Sequence, residues 1–92
     1  MAAYSVQKRA HQTLGASTVD TVTLTARNSS VEILNRDSSS TIYFTVDGTT
    51  PTVAGNETIV LPPGAAYQWL APVGVVKLIS SGTPAYSVQG VP

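Results

Sequence analysis

The chain has 92 residues, of which 11% are charged against about 25% in an average soluble protein, while 42% are apolar. Five basic and five acidic residues cancel to zero net charge and are scattered along the chain, so it lacks the basic face that neutralises a row of phosphates, which argues against nucleic-acid binding. With no cysteine there are no disulfides or thiolate metal sites, and no stretch approaches the roughly 18 consecutive apolar residues of a membrane span.

A chain of this length forms one domain with a modest core, burying roughly 60% of its unfolded surface. Serine and threonine supply most of its polar surface, and threonine's branched β-carbon suits a pleated sheet. The first residues, through "VQKRAHQTLGA", have no apolar run of the signal-peptide kind. They are expected to form an extended arm over residues 1–18, with at most one short helical turn. Lys8, Arg9 and His11 make its basic cluster, placed to meet an acidic patch on a neighbour or to stay solvated.

From residue 19 to 92 strand patterns follow one another in a single domain. "TVTLTA" sets Val22 and Leu24 against Thr21, Thr23 and Thr25. "SVEILNR" sets Val31 and Ile33 against Glu32 and Arg36, with Leu34 breaking the alternation. "TIYFTV" is the cleanest, with Ile42, Phe44 and Val46 on one face. In the corner after it, Asp47 and Gly48 supply the turn, glycine being free to take a positive φ, and Pro51 stiffens the exit. The gap from there to "ETIVLP" is too long for a two-residue hairpin, so the chain is expected to cross to a second sheet at this point. "AYQWL" carries Tyr67 and Trp69 on one face, "VVKLIS" carries Val76 and Leu78, and "AYSVQ" carries Tyr86 and Val88.

The intervening "NRDSSS", "PPGA", "APVG" and "SGTP" are turn clusters. Strands at this spacing predict an all-β fold, a small antiparallel sandwich or barrel. The five residues "AYSVQ" occur near both ends, at Ala3 and at Ala85, which is too short a match to be a repeat unit.

Catalysis needs groups that exchange protons, attack or hold a metal, and here no constellation of them is visible. The acids are Asp20, Glu32, Asp37, Asp47 and Glu57, and the single histidine, His11, lies in a polar stretch where solvation is the expected state. Asp47 lacks the ligand spacing of a calcium loop. No enzyme activity, cofactor or metal is expected. The triplets Asn28-Ser29-Ser30 and Asn56-Glu57-Thr58 match a glycan-acceptor pattern, which chance supplies in a chain so rich in Ser and Thr. Trp69 is expected in the core or at a subunit contact. The alternative is a carbohydrate-binding module, with Trp69 and Tyr67 as a stacking platform and the Asp47 loop as its rim.

Two resemblances attach to these segments. "IYFTVDGTTPT" is similar to the "Y-T-x-D-G-x-x-P-T" corner of the immunoglobulin-like C-terminal domains of chitobiase-type sugar hydrolases. Across most of the chain, the strand and D-G-x-x-P-T corner, the "PPG" and the ending Val76, Leu78, Ile79, Ser80, Gly82, Tyr86, Ser87 and Val88 resemble small β-rich structural proteins of tailed bacteriophages.

That resemblance implies an immunoglobulin-like or jelly-roll-like sandwich acting as a capsid decoration or cement protein. Such a protein is made in the host cytoplasm and carried on the outer surface of the virion. Tail and neck accessory roles are represented among similar proteins. The implied partners are the major capsid protein and further copies of the chain, with neither nucleic acid nor membrane. The residues expected at these contacts are Lys8, Arg9, His11, Asp47, Gly48, Pro51 and Trp69.

Overall fold

Alternating apolar and threonine-rich positions become strands wherever one face can be buried, and the computed structural model, which describes residues 2–92, contains nine of them. In chain order they are β1 (Ala2–Val6), β2 (Arg9–Thr13), β3 (Asp20–Leu24), β4 (Ser30–Asn35), β5 (Ile42–Thr45), β6 (Ile59–Leu61), β7 (Ala66–Trp69), β8 (Val75–Ile79) and β9 (Ala85–Val91). Two sheets result. One has the order β1-β3-β8-β5-β6 and the other β2-β9-β4-β7. All pairs are antiparallel except β1 with β3, so the fold is the all-β sandwich that the alternation predicts.

The core lies between the sheets. Val22 and Leu24 of β3, Ile42 and Phe44 of β5, and Val76 and Leu78 of β8 meet Val31 and Ile33 of β4 and Tyr86 and Val88 of β9. Each side chain so removed from water contributes about 1.5–3 kcal/mol relative to leaving it exposed. Phe44 also meets Tyr67 of the opposite sheet edge-on, with ring centroids 5.6 Å apart and planes at 69°. The turns follow their residues. In "PPGA" the Ala65 N–H donates to the Pro62 carbonyl at 3.0 Å and Gly64 takes φ 73°, which is a type II turn with proline and glycine at its centre.

The N-terminal segment is not an extended arm. β1 pairs in parallel with β3, from Ala2 opposite Asp20 to Val6 opposite Leu24, and β2 pairs with β9, from Arg9 opposite Gln89 to Thr13 opposite Ala85. The chain passes between the sheets at Gln7 and Lys8, where carbonyls accept from Ala26 (3.1 Å) and Gly90 (2.7 Å). Without this segment β3 and β9 would each present an unpaired edge, and Ala10 and Leu14 would lose the core positions they fill. Both copies of "AYSVQ" are therefore strands, each turning its tyrosine and valine toward the core.

The long corner does not carry the chain to the other sheet. β5 and β6 are antiparallel neighbours, with Phe44 opposite Ile59 and Ile42 opposite Leu61. The loop between them folds back on itself. Thr45 Oγ1 donates to the Thr49 carbonyl (2.6 Å), Gly55 N–H to Thr52 (3.0 Å) and Thr58 Oγ1 to Gly55 (2.6 Å). Pro51, expected at the surface, is buried. The crossing falls one strand later, at the Pro62–Ala65 turn between β6 and β7.

Candidate functional site

β6 and β7 are the last strands of their sheets, joined by a short turn, so both outer edges open on the same side of the sandwich. Along this side runs a groove. Its apolar floor is Ile59 of β6 with Tyr67 and Trp69 of β7, and its rim is Val46, Asp47 and Glu57 from the corner loop, with a volume of about 290 Å³. The strand register explains the aromatics. Tyr67 and Trp69 stand opposite Ile33 and Val31, so their side chains point between the sheets. There the edge strand covers them only on one side, and both remain half-buried. Their rings lie 6.3 Å apart with planes 26° from parallel.

Along Thr45, Asp47 and Glu57 the groove meets a second hollow of about 350 Å³ at the corner loop, lined by Thr50, Thr52 and Asn56 among others. Asp47 is fixed at the junction. Its Oδ1 accepts from the Thr49 hydroxyl (2.6 Å) and the Thr49 N–H (3.1 Å), and these bonds hold its carboxyl below the usual range, so it stays ionised. Gly48 follows with φ 86°, a conformation in which any side chain would be strained.

The seven expected contact residues do not form one site. Asp47 and Trp69 line the groove, while Gly48 is only the chain neighbour of Asp47 and lines neither hollow. Lys8, Arg9 and His11 lie on and before β2, the opposite edge of the same sheet from β7. All three are exposed, and His11 Nδ1 lies 2.7 Å from the Ser87 hydroxyl, so the ring is tethered to the neighbouring strand. Pro51 is buried and presents nothing to a neighbour. Sequence reasoning missed Glu57 and Ile59 as neighbours of Trp69, because the expected crossing of sheets separated "ETIVLP" from the corner it in fact closes.

Two buried polar groups also escaped it. Asn35, fully buried, donates from Nδ2 to the carbonyls of Ser40 (2.8 Å) and Leu61 (3.1 Å) and accepts at Oδ1 from the Asp37 N–H (3.0 Å). Asp20, 2% exposed, is the charged side chain of the core among the described residues. Its Oδ2 accepts from the Tyr86 hydroxyl at 2.9 Å, a bond that joins β3 of one sheet to β9 of the other. Burial raises the Asp20 pKa, against the opposing effect of that bond, and pushes the Tyr86 hydroxyl far above its own usual range. Asn28 is no exposed glycan acceptor, since its amide is engaged with the Val73 backbone in both directions, at 2.7 and 2.9 Å. Among the described residues no three His, Asp or Glu side chains converge as metal ligands.

The fold defines the class, a β-sandwich of nine strands among the described residues. No family model, curated protein or solved structure matches the chain.

Proposed function

We propose that the chain is a structural protein of a tailed bacteriophage virion, a decoration or cement subunit that binds the outer surface of the head shell and stabilises it. The observation that carries this reading is the open side of the sandwich. Edge strands in proteins that work alone are guarded by charge, proline or bulges. β6 and β7 read "IVL" and "AYQW", with no charged residue in either, and Val60 (55%) and Leu70 (78%) stand exposed beside them. Such an edge is completed by a neighbour. The resemblance in the corner and in the closing segment supports the same reading and supplies the partner, the major capsid protein.

A stable contact buries about 1,000 Å² or more in total, half from each partner. That is roughly a tenth of the 4809 Å² this chain exposes, an area the open side can provide. Repetition by symmetry around the shell multiplies a modest gain per copy. Lys8 and Arg9, on the far edge, are free to meet an acidic neighbour, a second copy of the chain included.

Purified protein is expected to co-sediment with mature heads of its own phage and to raise the temperature at which they release DNA. Leu70→Lys and Val60→Lys should lower occupancy by tenfold or more in combination, about 1.4 kcal/mol or more of contact energy. Absence of binding to mature heads would end the decoration reading, and binding to purified tails or necks instead would move the protein to that station.

A further inference from the structure

We infer that the groove between the Asp47 corner and β7 is a binding site for a neutral saccharide, with Trp69 and Tyr67 as its floor and Asp47 and Glu57 as its hydrogen-bonding rim. This is a second activity, on the same side of the sandwich as the proposed shell contact, so a bound shell and a saccharide would compete for it.

Three features of the groove select the ligand. The first is charge. Neither the groove nor the adjoining hollow is lined by Lys or Arg, while both contain Asp47 and Glu57, so phosphorylated and acidic ligands are repelled. The second is ring geometry. Trp69 and Tyr67 are stacked, with centroids 6.3 Å apart and planes 26° from parallel, so they do not form the box of crossed rings that encloses a quaternary ammonium ion. The aromatic carbon that this half-buried pair leaves exposed offers apolar contact to the C–H face of a pyranose.

The third feature is the polar arm beside the platform. Both protein hydrogen bonds to Asp47 end on Oδ1, which leaves Oδ2 for a ligand hydroxyl. Thr50, Thr52 and Asn56 continue hydroxyl and amide groups into the adjoining hollow. An aliphatic chain would leave these groups without partners, whereas the hydroxyls of a sugar donate to the carboxylates and exchange bonds with the threonines. The two hollows, about 290 and 350 Å³, lie near the lower end of small-ligand sites, which fits one or two sugar rings. Asp47, held ionised by Thr49, acts as an acceptor toward a ligand hydroxyl.

Trp69 is the only tryptophan, so its fluorescence reads this groove alone. The protein should be titrated with maltose, cellobiose, lactose and N,N′-diacetylchitobiose up to about 10 mM, and separately with choline chloride, while amide shifts are followed by NMR. The expected result is saturable change in Trp69 emission with at least one disaccharide and none with choline, with shifts confined to the corner loop and β7. Glu57→Gln, at an exposed loop position, should weaken that binding by roughly five- to tenfold while the melting temperature stays unchanged, and Trp69→Ala should abolish it. Silence across the four disaccharides overturns the inference, as does a response to choline alone or a set of shifts away from the groove. Intact saccharide affinity in Glu57→Gln removes the rim from it.

Discussion

Tyr86→Phe isolates the hydrogen bond that ties the two sheets together across the core. The ring is fully buried and remains, so packing is preserved, and only the hydroxyl 2.9 Å from Asp20 Oδ2 is lost. Asp20 is 2% exposed, so its carboxylate cannot turn to water in compensation. Leaving a buried acceptor short of its partner costs about 1–3 kcal/mol, and about 2 kcal/mol lowers the melting temperature of a domain this size by roughly 8–16 °C.

The pH dependence has a definite sign. Burial raises the folded-state pKa of Asp20 above 3.8, so between 3.8 and that raised value the folded chain binds more protons than the unfolded one, and the Asp20 contribution to stability falls as pH rises. Tyr86→Phe removes an effect that lowers this pKa. The deficit of the variant should therefore be largest at neutral pH and shrink as pH falls toward 4. Asp20→Asn keeps an oxygen for the Tyr86 hydroxyl and removes the buried charge, so at pH 7 it should be as stable as the parent or more so, with that advantage fading in acid. Urea denaturation of the three proteins at pH 7 and pH 4, compared pairwise, measures all of this. A Tyr86→Phe variant within about 0.5 kcal/mol of the parent at pH 7 would refute the reasoning, as would an Asp20→Asn variant that is as damaged as Tyr86→Phe.

Two further outcomes test the architecture. Deleting residues 1–13 strips β1 and β2 from two sheet edges and removes Ala10 from the core, so the truncated chain should lose cooperative unfolding; a native-like urea midpoint would show that the segment is dispensable. Asn35→Ala leaves the Leu61 and Ser40 carbonyls and the Asp37 N–H without their side-chain partner, and should cost about 2–3 kcal/mol by chemical denaturation, far more than Ser38→Ala in the exposed part of the same loop.

Period-two alternation is a local signal, and what depends on it was legible in the sequence. Val22 with Leu24, Ile42 with Phe44, Val76 with Leu78 and Tyr86 with Val88 all point into the core. The "PPG" and Asp47-Gly48 corners turn because proline and glycine restrict or extend φ within a few residues. The groove was half legible: the alternation of "AYQWL" puts Tyr67 and Trp69 on one face, while the partners of that face belong to another part of the chain.

What only the tertiary structure decided was which edge each strand would meet. "AYSVQKRAHQT" has the composition of an arm and becomes two strands because β3 and β9 offer free edges. The corner loop returns to its own sheet, folded back by the bonds from Thr45 to Thr49, Gly55 to Thr52 and Thr58 to Gly55, and that return brings Glu57 and Ile59 beside Trp69. Asn35 and Asp20 look like surface residues by type. Each is buried with the help of a partner distant in sequence, the Leu61 carbonyl for Asn35 and the Tyr86 hydroxyl for Asp20, and pairing between distant segments leaves no trace in the local pattern.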